Sequence, residues 1–244
     1  MKQVYIIDYI RTPIAKFQGG LSEVRADDLA AIVLKEIVKR NPQIPAEEIE
    51  DVILGCANQA GEDNRNVARM ASLVAELPIK IGGETVNRLC ASGMAAIANA
   101  CRAIAIGEGD FYIAGGVEQM TRAPYVLSKS AQPFGRDVQL FDSSFGWRFV
   151  NPKMKELYGV DGMGETAENL AEIYKISREA QDEFALLSQQ KATSAQNSGR
   201  LAQEIVKVEI PQKKGEPKIF SQDEFVKPDT TLDKLAKLRP AFKK

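Results

Sequence analysis

Three cysteines, at positions 56, 90 and 101, carry the nucleophilic chemistry available to this chain, which has no histidine to serve as a base. Cys90 stands in "VNRLCASGMAAIANACRAI", residues 86–104, where a strand-like end meets the turn-like "CASG". The Ala, Met and Ile that follow predict a helix from about residue 91 to 106, apolar nearly all round and so of the buried kind. A residue at the entry of such a helix faces N–H groups without intrahelical acceptors and the positive end of the helix dipole. That setting stabilises a thiolate and offers donors to a developing oxyanion. Ser92 and Gly93 permit a tight entry. The plainer reading is structural, because free cysteine is among the most buried residue types. Cys56, at a strand end, and Cys101, inside the apolar run, take that plainer reading. Position alone leaves Cys90 open between the two.

The elements that must hold this stretch alternate between strand and helix. "QVYIIDYI" reads as a first strand ended by Arg11-Thr12-Pro13, and "RADDLAAIVLKEIVKRN" as a helix with Leu29, Ile32, Val33 and Ile37 on one face. Asp27 and Asp28 at its start and Lys39 and Arg40 at its end suit the dipole, and Asn41-Pro42 stops it. "IEDVILGCA" is a second strand, "VARMASLVAEL" a helix, "GETVNRL" a third strand and "FYIAGGVE" a fourth. This rhythm predicts an α/β fold with a mixed, mostly parallel sheet and helices on both faces. From residue 119 to 160 the chain is loop-like, and two amphipathic helices follow, the second with Ser177 as N-cap and Gly199 at its end. A strand in "AQEIVKVEIP" and a short helix in "TTLDKLAKL" complete the pattern. The expected division is an α/β core over residues 1–118 and an α-rich loop domain over 119–244.

Composition excludes several classes of function. With 44% hydrophobic and 27% charged residues and a formal net charge of -1, the chain reads as soluble and globular, with no draw toward nucleic acid or an anionic membrane. The opening "MKQVYIIDYIRTP" lacks a signal-peptide core, and no run is expected to approach the roughly 18 apolar residues of a membrane span. Three cysteines without CxxC spacing argue for a reducing cytoplasm and against a disulfide framework or a zinc site. Residues 213–244 hold nine Lys/Arg against five Asp/Glu, either a solvated surface or one that attracts phosphates.

"VNRLCASGMAA" closely resembles the acyl-enzyme motif of thiolases, Asn-x-x-Cys-x-Ser-Gly. "YIIDYIRTPIAKFQGGL", "AGGVEQMTRAPY", "MGETAENLAE" and "KPDTTLDKLAKLRPAF" resemble further thiolase segments in the same order, so the likeness runs along the whole chain. It implies a thiolase-like half and a coenzyme A-dependent acyltransferase with CoA as substrate and no covalently bound cofactor. Cys90 would be the nucleophile. Met163, Ala241 and Phe242 match positions lining the pantetheine tunnel, with plain core residues as the alternative; Lys213 and Lys214 lie near where the family binds CoA phosphates, with plain surface lysines as the alternative. "QAGEDNRNVAR" resembles the family's dimer-forming segment, which implies a homodimer or tetramer.

The pattern also breaks. The thiolase segments "NEAF", "GHP" and "C-x-G-G-G", which carry the remaining catalytic groups, do not occur here, and the family would continue past "LRPAFKK" with one more strand for this half. The expectation is the N-terminal part of a thiolase, without turnover unless its C-terminal half is supplied. Gly162 stands where many thiolases have a pantetheine-contacting histidine. The segment around "FGWRFVNPKMKELYG" is more like thiolases of aromatic-acid (β-ketoadipyl-CoA) and fatty-acid degradation than short-chain biosynthetic ones. A non-catalytic CoA-binding or scaffold subunit is the alternative; ketosynthase-like chemistry is disfavoured by "TAEN" and "GGVEQM".

Overall fold

The structure, a computed structural model, describes residues 2–243. Contacts divide the chain into two compact units, Met1–Val126 with Asp142–Ser144 and Glu204–Glu224, and Leu127–Phe141 with Phe145–Gln203 and Phe225–Lys244. A single cut at residue 118 therefore does not describe the contacts. Residues 204–224 return to the first unit because Val208 and Ile210 are buried against Leu21, Val24 and Leu29.

The first unit is built on three parallel strands, β1 (Ile49–Gly55), β2 (Gly82–Val86) and β3 (Phe111–Gly116), in the order β2-β1-β3. Helices α1 (Ala26–Arg40), α2 (Val67–Val74) and α3 (Ser92–Ile106) alternate with them. Side chains of β1 alternate between faces as a strand requires. Val52 and Leu54 pack with Ala30, Ala31 and Leu34 of α1 and Ala68 and Ala71 of α2, while Ile53 packs on the other face with Ala96 and Ala100 of α3. Burying each large side chain here, such as Val52, Val67 or Ile81, contributes about 1.5–3 kcal/mol. The alanines let α1 and α2 lie close together on one face, so helices cover both faces as the strand–helix rhythm implies.

Two expectations change. Only Ser92, Ala96 and Ala100 of α3 are buried, so the helix packs by one small-residue stripe and leaves Met94 and Ile106 exposed. By length and composition alone, the stretch Leu89–Ile106, of mean hydropathy 1.5, is apolar enough to cross a membrane, contrary to the expectation that no run comes near that length. Ala96 and Ala100 nevertheless seat it on the sheet. The predicted first strand, residues 3–10, lies outside any ladder. Its ends are anchored, Lys2 N donating to Ala105 O (3.1 Å) and Arg11 N to Glu204 O (2.8 Å). Between it and the unpaired edge of β3 lies an apolar cavity of about 650 Å³, lined on its sides by Val33 and Ile37 of α1 and Ile97 and Ile104 of α3. The residues are strand-like, but the edge they face is too far away to pair, and Tyr5, Ile6 and Ile7 stay exposed.

Chain passage between the units is marked by short strands β4 (Tyr125–Leu127) and β5 (Leu140–Asp142). The second unit is helical: α4 (Pro152–Tyr158), α5 (Met163–Ile173), α6 (Arg178–Asn197) and α7 (Leu232–Ala236). Ser177 caps α6 by accepting from Ala180 N at 3.2 Å, and Gly199 takes the left-handed conformation just past its end (φ 75°). Arg178 ties α6 to α7 by donating to Leu235 O (2.7 Å) and Leu238 O (3.1 Å).

In the first unit, hairpin β6 (Val208–Ile210) and β7 (Lys218–Phe220) is followed by an ion-pair knot. Arg11 grips Asp223 with two bonds of 2.7 and 2.8 Å and reaches Glu204 at 2.8 Å, and Asp223 also accepts from Ile14 N at 2.8 Å. The Arg11 bond holds the Asp223 carboxyl below its ordinary value, against the opposing effect of burial. A depressed folded pKa means stability that is present above the unfolded value of about 3.9 and is lost as pH falls through the folded value. Asp223→Asn should therefore cost about 2 kcal/mol at pH 7, and the gap to the parent should close below about pH 4. Urea unfolding of both proteins at pH 7 and pH 3 checks this; an equal gap at both pH values would assign the loss to something other than the carboxylate charge.

Candidate functional site

Cys90 is exposed, two residues before the first residue of α3. The turn that carries it is held by side chains from the same stretch. Asn87 Oδ1 accepts from Leu89 N at 2.9 Å, and its Nδ2 donates to Ala57 O at 3.0 Å, tying the turn to the segment after β1. Leu89 sits in the left-handed region at φ 51°, uncommon for a bulky residue. Ser92 Oγ accepts from Arg88 N (2.8 Å) and donates to Leu89 O (2.6 Å). Ser92 N also donates to Leu89 O, and Ala95 N to Ala91 O. The helix has no side-chain cap at Ala91, so its entry keeps donor capacity for an incoming negative charge.

The helix mouth is placed by glycine. A Cβ on Gly55, the last residue of β1, would come 2.4 Å from Ser92 C and 2.5 Å from Gly93 N. A Cβ on Gly116, at the end of β3, would come 2.8 Å from Gly55 O. The carboxyl ends of both strands are thus stripped of side chains where α3 begins, a place where parallel α/β sheets bind ligands. Chemically, the arrangement can present a thiol sulfur at the edge of a positive backbone field, which suits attack on a carbonyl.

Cys56 follows β1 and is buried, its Sγ 3.5 Å from Asp63 Oδ2. With Glu118 these groups form a cluster whose donor atoms lie within 4.8 Å of one another, which sequence spacing did not announce. Both carboxylates are already engaged by backbone: Glu118 accepts from Ala57 N and Asn58 N, and Asp63 from Gln59 N and Gly61 N. Burial first, then the charges of Glu118 and Asp63, push the Cys56 thiol up to about 12. The cluster braces the 56–63 loop and keeps the thiol protonated. Cys101 is half-buried within α3.

The remaining candidates are exposed. In the second unit, Met163 (77% exposed) starts α5, and the Phe242 ring (64% exposed) lies over Gly164, where a Cβ would come 2.3 Å from it. Ala241, beside it in sequence, is exposed too, so none of the three is a core residue. In the first unit, Lys213 and Lys214 are exposed between β6 and β7. Gly162 is the N-cap of α5, its N–H donating to Glu165 Oε2 at 2.9 Å. In sequence, Ser92 reads only as permitting a tight entry and Asn87 only as a motif residue; the tethering role of Asn87, the strained Leu89 and the close approach at Gly55 escape that reading. The signals were present in an asparagine two residues before an unusual turn and a glycine ending an otherwise apolar strand.

Alkylation should sort the cysteines. At pH 8, where a thiol with a pKa near 12 is almost wholly protonated, iodoacetamide should modify Cys90 first and leave Cys56 untouched for at least about 100-fold longer. Peptide mass mapping over time checks the order; early labelling of Cys56 would contradict the burial and charge described for it.

Comparison with known proteins agrees with this architecture. The family model for the thiolase N-terminal domain matches residues 4–244. The 3-oxoadipyl-CoA/3-oxo-5,6-dehydrosuberyl-CoA thiolase of Escherichia coli K12 is 57% identical over 243 residues, covering 100% of this chain and 61% of that protein. The beta-ketoadipyl-CoA thiolase of Pseudomonas knackmussii is 58% identical over 239 residues, covering 98% and 59%. In the crystal structure of the Bacillus anthracis acetyl-CoA acetyltransferase, the match has a TM-score of 0.85 at 38% identity and covers 96% of this chain and 58% of that one. The chain thus spans about 60% of the length of these relatives. With a parallel sheet flanked by helices, a cysteine at the mouth of α3 and a family match along nearly its whole length, the chain belongs to the thiolase N-terminal domain family.

Proposed function

We propose that this chain is the nucleophile-bearing part of a CoA-dependent thiolase that cleaves a 3-oxoacyl-CoA. The observation that carries the reading is the exposed Cys90 thiol on a clamped turn at the entry of α3. In the proposed reaction, the Cys90 thiolate attacks the 3-oxo carbon of the substrate. The carbon–carbon bond next to that carbon breaks, the departing two-carbon piece takes a proton, and acetyl-CoA leaves. The acyl group remains as a thioester on Cys90 Sγ. The thiolate of a second CoA then attacks the thioester and leaves as the shortened acyl-CoA, returning the Cys90 thiolate. The donors at the start of α3 are suited to an oxyanion formed on the carbon that Cys90 attacks.

No histidine stands in this chain, so the base that deprotonates the incoming thiol and the acid that protonates the departing piece belong, in this reading, to a C-terminal half. The apolar cavity between residues 3–10 and the edge of β3 supports it: strand-forming residues flank it on two sides and helix faces on the other two, which suits one further strand. The names of the relatives favour a 3-oxo dicarboxylic acyl group of the 3-oxoadipyl type over a plain fatty acyl group. Met163, Ala241 and Phe242 are proposed to meet the pantetheine arm and Lys213 the CoA phosphates, which suits their exposure. The protein is proposed to work in the cytoplasm as a homodimer or tetramer, with CoA as substrate and no bound cofactor; β2, paired on one side only, offers an edge for a partner copy.

The test uses 3-oxoadipyl-CoA and acetoacetyl-CoA. The chain alone should show no steady-state thiolysis, and adding the C-terminal 40% or so of a relative should produce turnover, reduced at least about 10³-fold in Cys90→Ser. Intact mass should then show an acyl adduct on Cys90. Cys90-dependent turnover by the chain alone would refute the division of labour. CoA binding with no acylation even after complementation would favour a scaffold subunit.

A further inference from the structure

Leu89 holds an uncommon left-handed backbone immediately before Cys90, at φ 51°, and its side chain is exposed, so no packing of that side chain enforces the conformation. The restraint is polar. Ser92 is only 5% exposed, and its hydroxyl is spent on the turn: it accepts from Arg88 N at 2.8 Å and donates to Leu89 O at 2.6 Å. A serine at a helix start ordinarily caps the helix by accepting from an amide further along it. Here the hydroxyl points backward, bridging the N–H of Arg88 and the carbonyl of Leu89, the two residues before Cys90. Ser92 is seated against the end of β1, its Cβ 2.7 Å from where a Cβ on Gly55 would fall.

We propose that Ser92 is a positioning residue for Cys90: its hydroxyl, bonded to both Arg88 N and Leu89 O, locks Leu89 in the left-handed conformation and so holds the thiol at the mouth of α3. The inference rests on Cys90 being the working nucleophile, but it concerns where the sulfur is held and not what attacks it. A sulfur held at a helix entry sits in a positive backbone field and reacts faster with an anionic reagent, relative to a neutral one, than a free thiol does. The ratio of the two rates reports position, because changes in exposure or global stability affect both reagents alike.

The experiment measures the alkylation rate of Cys90 by iodoacetate and by iodoacetamide, by peptide mass mapping, in the intact chain, in Ser92→Ala, in Leu89→Asn, and in the double variant. Glutathione gives the free-thiol ratio, and thermal unfolding monitors the fold. The parent ratio should exceed that of glutathione by at least about threefold. Ser92→Ala should bring the ratio down to the glutathione value while leaving a cooperative transition. Leu89→Asn, which places a residue tolerant of the left-handed region there, should leave the ratio of the parent unchanged and restore most of it in the Ser92→Ala background. The proposal is overturned by a Ser92→Ala ratio equal to the parent's, by a double variant no better than Ser92→Ala, or by loss of cooperative unfolding in Ser92→Ala, which would make the hydroxyl a fold determinant. None of these readouts requires acyl-CoA. Failure of Cys90 to become acylated would sink the proposed function while leaving this outcome standing, and the reverse holds equally.

Discussion

The first turn of α3 lies against the carboxyl end of β1, and only a residue without a side chain allows it. A Cβ on Gly55 would lie 2.4 to 2.7 Å from atoms of Ser92 and Gly93, well inside van der Waals contact, so the strand and the helix could not both keep their places. Much of the first unit follows from this contact. The helix stripe of Ser92, Ala96 and Ala100 can meet Ile53 only if the helix starts this close to the sheet. The turn between β2 and α3 is then short and must reverse within a few residues, which is why Leu89 is driven into the left-handed region and needs Asn87 and Ser92 to keep it there.

The same close approach separates the three thiols by environment. Cys56, one residue beyond Gly55 at the end of the central strand, is buried beside two carboxylates, where a negative sulfur is penalised by both desolvation and repulsion. Cys90, across the contact, is left on the surface at a helix start. Cys101 rides three turns further along α3. Residue type alone is identical in the three cases. Glu118 and Asp63 are used to satisfy the amides of the 56–63 loop, so these carboxylates serve structure.

The unpaired edge of β3 and the unladdered residues 3–10 are a second consequence of topology. Free backbone groups on a strand edge, flanked by apolar helix faces, form a template for another strand. Tyr5, Ile6 and Ile7 have the composition of a strand and the exposure of a loop, a mismatch between local preference and available partner. The relatives, of which this chain spans about 60%, are longer proteins, in keeping with a first unit that exposes this much apolar surface.

Much was legible from the residues. Periodicity placed α1 with its dipole-matched ends, the three parallel strands, the start of α3 within a residue, and α6 with Ser177 and Gly199 at its two ends, because these depend on neighbours within one or two turns of chain. The motif around Cys90 pointed to the family and to the thiol. Three things lay beyond that reach. The all-round apolar look of α3 suggested full burial, but how many faces are covered depends on what packs there. The strand-like start had no strand to join. The return of Glu204–Glu224 to the first unit depended on Val208 and Ile210 finding a pocket nearly two hundred residues upstream in sequence. The sequence by itself determined which segments could be helix or strand and which cysteine stood at a helix start, since these are properties of short-range geometry. Tertiary structure alone decided which edges were paired, which thiol was silenced and how the Cys90 turn was tied to the segment after β1, because burial and these partners come from residues far apart in the chain.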